Sequence, residues 1–415
     1  DGVDRYAHLL GQIFDPPTLD VHAPIVGVSA PKVKSGCDRE PSTSIEHMFA
    51  QDVETPEWLV GLNQEQRAAV LHGDGPLLVI AGAGSGKTRT LAARVARLIT
   101  DGASPDRMLL LTFTRRAAAE MLRRAGAMVR AEQPGVGPGR VWGGTFHSIA
   151  NRLLRRHGEA VGLPPAFTVL DQGDAESLFS MVRAELGLGR QGVRFPKPAT
   201  IAAIYSRVVN AQTPLSVTLA ERYPWCVDHA DDLKAVFKGY TATKRSQAVA
   251  DYDDLLLYWR ALLESPVAAQ IRSRFDHVLV DEYQDTNRIQ ADILSLLCGV
   301  SGNLTVVGDD AQAIYSFRAA EVENILGFSD VYPDARVVTL EENYRSTPEI
   351  LAATNAVIAR AERGYAKRLR SNRASGAIPQ LVTCLDPEAE AEVVCDLVLE
   401  RREHGIALRD QAVLF

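Results

Sequence analysis

Pro76-Leu77-Leu78-Val79-Ile80-Ala81-Gly82-Ala83-Gly84-Ser85-Gly86-Lys87-Thr88 decides the fold. Its first half is a short apolar run with no polar interruption, the pattern of a strand buried on both faces. Its second half is a glycine-rich turn that opens a helix-like stretch from Lys87 to Ile99. Glycines let backbone N–H groups turn inward toward phosphate oxygens, and the helix N-terminus adds roughly half a positive charge. At this spacing Lys87 reaches the β- and γ-phosphates of a nucleotide and the Thr88 hydroxyl ligates Mg²⁺. Ala83, Gly84, Ser85, Gly86 and the following Arg89 complete the expected nucleotide cradle. The strict phosphate-loop pattern begins with Gly, where Ala81 stands here.

Working outward, Met108–Phe113 is a second strand followed by a helix through Met121. Val141–Thr145, His277–Asp281, Leu304–Gly308, Arg336–Leu340, Gln380–Cys384 and Gln411–Phe415 are further strand candidates. Short apolar runs alternating with helices predict an α/β fold with a parallel sheet covered on both faces. The alternation fades between 156 and 249, where Gln172–Leu186, Ala199–Asn210 and Asp231–Ala248 read as helices. The expected organisation is a first core over 56–155 and 250–335, a helical insertion over 156–249, and the start of a second core over 336–415. Residues 1–55 carry five prolines and few periodic apolar runs, and read as a loosely ordered extension. At roughly 100–200 residues per domain, 415 residues accommodate this arrangement.

A phosphate loop needs a carboxylate at the end of a neighbouring strand to hold the metal. Val278-Leu279-Val280-Asp281-Glu282 supplies it, with Asp281 toward Mg²⁺ and Glu282 toward the attacking water. Gln284 and Gln312, near two strand ends, are candidates for sensing the γ-phosphate or its water. The five cysteines, Cys37, Cys226, Cys298, Cys384 and Cys395, form no CxxC pair, so they read as small buried hydrophobes in a reducing cytoplasm. No apolar run approaches the ~20 residues of a membrane span. A net charge of −7 argues against non-specific coating of DNA but leaves room for a basic track on one face.

The order of motifs resembles superfamily 1 DNA helicases of the UvrD/PcrA/Rep type. Leu62-Asn63-Gln64-Glu65-Gln66 looks like their adenine-reading segment, which gives Gln66 that role. Ala81–Thr88 matches their phosphate loop, leading Ala included. Thr112–Met121 and Gly144-Thr145-Phe146-His147-Ser148 resemble segments that contact single strands. Tyr252-Asp253-Asp254-Leu255-Leu256 is similar to the segment that re-enters the first core. Asp281–Asn287 resembles the acidic motif, Val307–Arg318 the motif coupling ATP to DNA, and Leu340–Thr347 the first motif of the second core. The family often has Trp where Phe317 stands, and a base stacks on either ring.

The resemblance implies a RecA-like motor hydrolysing Mg–ATP to move 3′-to-5′ on single-stranded DNA and unwind junctions in repair or recombination. It implies that Tyr344 stacks on adenine and Arg345 reaches the γ-phosphate. Lys87, Asp281, Glu282, Gln284, Gln312 and Arg345 would then be catalytic, and Thr112, Phe113, Thr114, Arg115, Thr145, Phe146, His147 and Phe317 would meet DNA. Arg115, Arg116, Arg123 and Arg124 form one basic patch, and Lys367, Arg368, Arg370 and Arg373 a second, each either a DNA contact or a solvated face. The family's later motifs do not follow, and the chain starts at Asp1 rather than Met. The expectation is therefore a portion of a helicase completed by further domains or a partner chain. The alternatives are a nucleotide- and DNA-binding module without turnover, or the motor part of a helicase–nuclease complex.

Overall fold

Uninterrupted runs of branched and leucine side chains form the strands, because a strand covered on both faces has no solvent side for polar residues. The computed structural model describes residue 11 and residues 56–414, apart from residues 134, 136 and 190–194. The expected extension over residues 1–55, Cys37 and Phe415 therefore lie outside the described residues, residue 11 excepted. The strands are β1 Leu77–Ala81, β2 Met108–Leu111, β3 Trp142–Gly144, β4 Thr168–Val169, β5 Val249–Ala250, β6 His277–Val280, β7 Leu304–Gly308 and β8 Arg336–Leu340. Six of them make one parallel sheet in the order β3-β2-β6-β7-β1-β8, and β4 pairs with β5. In register, Val79 of β1 lies beside Val307 of β7 on one side and Val338 of β8 on the other.

Alternate residues of each strand feed two apolar layers. Leu78, Ile80, Leu109, Leu111, Val278, Val280 and Val306 face one layer, with the helices Phe146–His157, Tyr252–Leu263 and Arg288–Cys298. Leu77, Val79, Ala81, Met108, Leu110, Leu279 and Val307 face the other, with the helices Gln64–Val70, Lys87–Thr100 and Arg115–Glu132. This is the α/β sandwich of a RecA-like core. Between β3 and β6 the chain adds the helices Gln172–Glu185, Pro198–Ala211, Leu215–Arg222 and Ala230–Ser246. The Phe179 and Tyr240 rings stack at 3.7 Å within them.

Two sequence expectations are corrected. A second core was expected to open at residue 336, but β8 pairs in parallel with β1 along its whole length and finishes the first sheet. Val338 and Leu340 are buried there, in the apolar layer that helix Gln64–Val70 helps to cover. The first compact unit runs to Arg345 and takes in Ala361–Leu369, and the second comprises Ser346–Arg360 and the residues from Arg370 on. The second correction concerns Gln380–Cys384 and Gln411–Phe415, whose described residues form no strand. A strand needs a neighbour to take its N–H and C=O groups, and among the described residues of this unit there is none. The second unit holds the helices Pro348–Ile358 and Pro387–Glu403. Cys226 is buried as expected, whereas Cys384 and Cys395 are exposed. Among the described residues no helix is long and apolar enough to cross a membrane.

Candidate active site

The sheet order places the carboxyl ends of β6, β7 and β1 side by side, and the segments leaving them meet at one spot. From β1 the chain enters the glycine loop, where Gly84 and Gly86 adopt φ of 80° and 88°, left-handed values that a side chain resists. The carbonyls from Gly82 to Ser85 each accept a hydrogen bond, the first from within the loop and the other three from outside it. The Ser85 hydroxyl donates to Gly82 O at 2.7 Å, the Asn343 amide to Ala83 O at 2.5 Å, the Tyr344 N–H to Gly84 O at 2.9 Å and Gln66 Nε2 to Ser85 O at 2.9 Å. A trans peptide points its N–H opposite its C=O, so these anchors turn the Gly84 and Gly86 N–H groups to the other side. Helix Lys87–Thr100 starts immediately after, with Lys87 and the half-buried Thr88 in its first turn. Arg94, buried in that helix, donates to the carbonyls of Ala69, Val70 and His72 and fixes it against helix Gln64–Val70. Burial lowers the Arg94 pKa to about 10.

From β6 come the carboxylates. Lys87 Nζ lies 2.8 Å from Glu282 Oε2, and Gln284 Nε2 donates to the same oxygen at 2.9 Å. Glu282 has φ of 51°, a left-handed backbone at a non-glycine residue and a local strain of order 1–3 kcal/mol. Asp281 is 7% exposed, and its Oδ1 is buried without a hydrogen-bond partner. Burial, then the Glu282 charge, pushes its pKa up to about 7. Asp285 is raised to about 6 for the same two reasons, and its Oδ1 also lacks a partner. An orphaned carboxylate oxygen next to a lysine-held glutamate, with a threonine hydroxyl in the first turn of the helix that carries that lysine, supplies the oxygen donors a hard divalent cation takes. The residues present therefore fit Mg²⁺.

From β7 comes a relay. The Asp309 N–H donates to Gln284 Oε1 at 3.0 Å, and Gln312 Nε2 donates to Asp309 Oδ2 at 2.5 Å. Gln284 and Gln312 are thus joined through Asp309, a residue the sequence reading passed over. After β8, Asn343 is 2% exposed, and its Oδ1 accepts the Arg345 N–H at 2.9 Å. One side chain therefore ties Arg345 to the phosphate loop. Tyr344 is half-exposed and Arg345 exposed. Gln66 is buried and engaged at both ends: it donates to Ser85 O, and its Oε1 accepts the Asn63 N–H at 3.1 Å in a capping box. Arg89 donates to Val60 O at 2.7 Å.

The DNA-contact candidates divide. Phe113 is exposed and packs on Tyr315 with ring centroids at 4.9 Å, and Tyr315 meets Phe317 at 5.7 Å. Phe317 is 71% exposed, so a core role is ruled out for its ring. Phe113, Phe317, His147 and Asn287 border a cavity of about 580 Å³. Tyr315 was quoted in a motif but not singled out; its place between two candidate rings is visible only in three dimensions. Burial lowers the His147 pKa to about 4, so the ring is neutral, and it meets Tyr252 edge-on at 5.7 Å.

Thr114 and Thr145 cap helices, accepting the N–H of Ala117 at 3.1 Å and of Ser148 at 3.3 Å. Arg115 and Arg116 are exposed beside them. Two expectations are corrected: Phe146 is buried, 6.0 Å from the Trp259 ring, and Thr112 is buried with its hydroxyl donated to Thr114 O. Both side chains face inward in this structure. Arg123 and Arg124 both pair with Glu120, a solvated helix face. Lys367 does not belong to an exposed cluster at all: its side chain is 1% exposed and pairs with Asp309 and Asp310.

Comparison with known proteins places the chain in a family. The UvrD/REP helicase N-terminal domain family matches residues 62–333, and the UvrD-like helicase C-terminal domain family matches residues 338–415. A protein of Leuconostoc citreum named ATP-dependent DNA helicase PcrA is 38% identical over 362 residues, covering 86% of this chain and 47% of its own. A Staphylococcus aureus protein of the same name is 35% identical over 358 residues, covering 85% of this chain and 47% of its own. One from Staphylococcus epidermidis is 35% identical over 357 residues, covering 85% and 48%. The chain spans about half the length of these relatives.

Proposed function

The chain belongs to the UvrD/REP helicase family, and on that premise we propose that it is the ATP-hydrolysing portion of a superfamily 1 motor that moves 3′-to-5′ along single-stranded DNA and opens duplex junctions during repair or recombination. The observation that carries the reading is the Lys87–Glu282 ion pair beside the orphaned Asp281 oxygen, formed across the ends of β1 and β6 with β7 between them. Lys87 holds the glutamate where a nucleotide would hold Lys87.

On ATP binding, Lys87 leaves Glu282 for the β- and γ-phosphates, and the Gly84 and Gly86 N–H groups hold the phosphate chain. Mg²⁺, held by Thr88 and Asp281, would neutralise phosphate charge as the terminal bond breaks. Glu282, freed from Lys87, takes a proton from water as the water oxygen attacks the γ-phosphorus and the bond to ADP breaks. Gln284 and Gln312 orient that water and the γ-phosphate. Tyr344 stacks on the adenine and Arg345 reaches the γ-phosphate, an arginine role typically worth about 10³–10⁵ in rate. Gln66 reads adenine once its amide gives up Ser85 O. The Phe113–Tyr315–Phe317 ring row stacks bases, and Thr114, Arg115, Thr145 and the neutral His147 meet the backbone. Sequence specificity is not expected from such contacts.

The test is ATP turnover by this chain with and without single-stranded DNA, with Lys87→Ala as control. Turnover that rises with DNA and vanishes in the variant is the expected result. DNA and nucleotide binding with no turnover under either condition would replace the motor reading by a binding module.

A further inference from the structure

The motifs leave one built element unused. Between Arg360 and Arg370 the chain returns from the second unit to the first for nine residues, Ala361–Leu369, and leaves again. This strap is fastened along its length, first by Arg363, whose guanidinium lies 3.3 Å from Glu323 Oε1. The Tyr365 N–H donates to Asp310 Oδ2 at 3.3 Å, and its hydroxyl donates to Ile325 O at 3.2 Å. The Arg368 N–H donates to Glu341 Oε1 at 2.8 Å. Leu369 is buried over the phosphate loop, so close that a Cβ on Gly82 would lie 2.6 Å from its Cδ2. At the centre Lys367 Nζ sits 2.6 Å from Asp309 Oδ1 and 2.5 Å from Asp310 Oδ1, with all three side chains under a tenth exposed.

Two consecutive carboxylates in a buried place repel each other, and the ammonium set between them offsets that repulsion. Asp309 is the residue that also accepts Gln312 Nε2 and, through its own N–H, holds Gln284 Oε1. Its Oδ1 additionally accepts the Ala311 N–H at 3.1 Å, which shapes the turn carrying Gln312. We infer that Lys367 is a positioning residue: by neutralising Asp309 and Asp310 it fixes the Gln312 amide where a γ-phosphate is read. The inference rests on the nucleotide site proposed above. It makes the strap, bracketed in sequence by two segments of the second unit, the clasp between the γ-phosphate-reading turn and the phosphate loop.

The experiment is displacement of a fluorescent ADP from this chain by ADP and by a non-hydrolysable ATP analogue. Lys367→Met is expected to lower the preference for the triphosphate by about tenfold while ADP affinity stays within about twofold, because only the triphosphate engages Gln312. The same change in a Gln312→Ala background is expected to do nothing further, whereas a merely structural loss would add. Lys367→Met combined with Asp310→Asn returns the net buried charge to that of the parent and keeps the measurement possible where the single variant fails to fold. An undiminished preference in the variants, or a further loss in the Gln312→Ala background, overturns the inference and leaves the nucleotide site standing. Failure of the unsubstituted chain to bind either nucleotide overturns both.

Discussion

Asp281 is held in a place that disfavours its charged form. Its usual pKa of 3.8 is raised to about 7, first by burial and then by Glu282. Between about pH 4 and pH 7 the unfolded chain loses this proton while the folded chain keeps it, so the group lowers stability as pH rises through that window. Above about pH 7 the full penalty applies, on the order of 2–4 kcal/mol for a shift of this size. Asp281→Asn is therefore expected to stabilise the nucleotide-free protein by about that amount at pH 8, with the gap closing toward pH 4. Urea denaturation at the two pH values measures it; an Asn variant no more stable at pH 8 than at pH 4, relative to the parent, contradicts it. The same variant is expected to lose Mg²⁺-dependent tightening of nucleotide binding, since the carboxylate that burdens the fold is the one proposed to hold the cation. Asn343 gives a second expectation at this scale. It joins Ala83 O to the Arg345 N–H, so Asn343→Ala is expected to slow turnover by about 10²-fold through misplacement of Arg345. Nucleotide affinity in this variant should change far less, which a kcat-against-KM comparison reads.

Elements owe their positions to residues whose partners are far away in sequence. The re-entry helix Tyr252–Leu263 starts at a capping box in which Asp251 accepts the Asp254 N–H and Asp254 accepts the Asp251 N–H. Both carboxylates meet the buried Lys244 Nζ at 2.6 Å, and Tyr240 donates to Asp251 as well. Burial opposes ionisation of Asp251, yet Lys244 beside it holds its pKa below the usual carboxylate value. Lys244→Met leaves these charges unpaired and is expected to destabilise the chain by about 3–5 kcal/mol. Adding Asp254→Asn should recover part of the loss in urea melts, and no recovery would mean that Lys244 acts through packing instead.

This element also marks how far sequence could be read. The Asp251 cap and the helix were legible because a cap and an apolar run are local. The partner Lys244 was not, since nothing in a sequence says which lysine is buried. The same holds at the site. Lys87, Asp281 and Glu282 were legible from loop spacing and strand ends, while Asn343, Asp309 and Lys367 were missed because their work is done across the sheet. Phe146 and Thr112 misled for a related reason: a motif fixes the neighbourhood, but alternation along the chain decides which side chain faces in. β8 misled because an edge strand looks alike whether it ends one sheet or starts another.

Across the whole molecule burial is uneven. β1, β6 and β7 lie at the centre of the sheet, between apolar layers on both faces. In the second unit Leu351 is the single buried residue among those described, while Leu381, Leu385 and Leu414 are almost fully exposed. The 17-residue helix Pro387–Glu403 has a good start, with Asp386 accepting the Ala389 N–H and Pro387 in its first turn. A cap of that kind adds only about 1 kcal/mol, and a helix of this length without an apolar layer to pack on is marginal in water. Its opening free energy is therefore expected to be near zero, whereas opening β1, β6 or β7 requires disrupting the entire core. Hydrogen exchange by this chain should show backbone amides of Pro387–Glu403 exchanging close to the rate of an unstructured peptide, and amides of the three central strands protected up to the global stability. Equal protection in the two sets would mean that the second unit gains apolar cover in solution, and the exposed Leu381, Leu385 and Leu414 would be the first places to look for it. With added nucleotide, the strap Ala361–Leu369 is expected to follow the central strands rather than its sequence neighbours, because Lys367 and Leu369 fasten it to the site that the nucleotide orders.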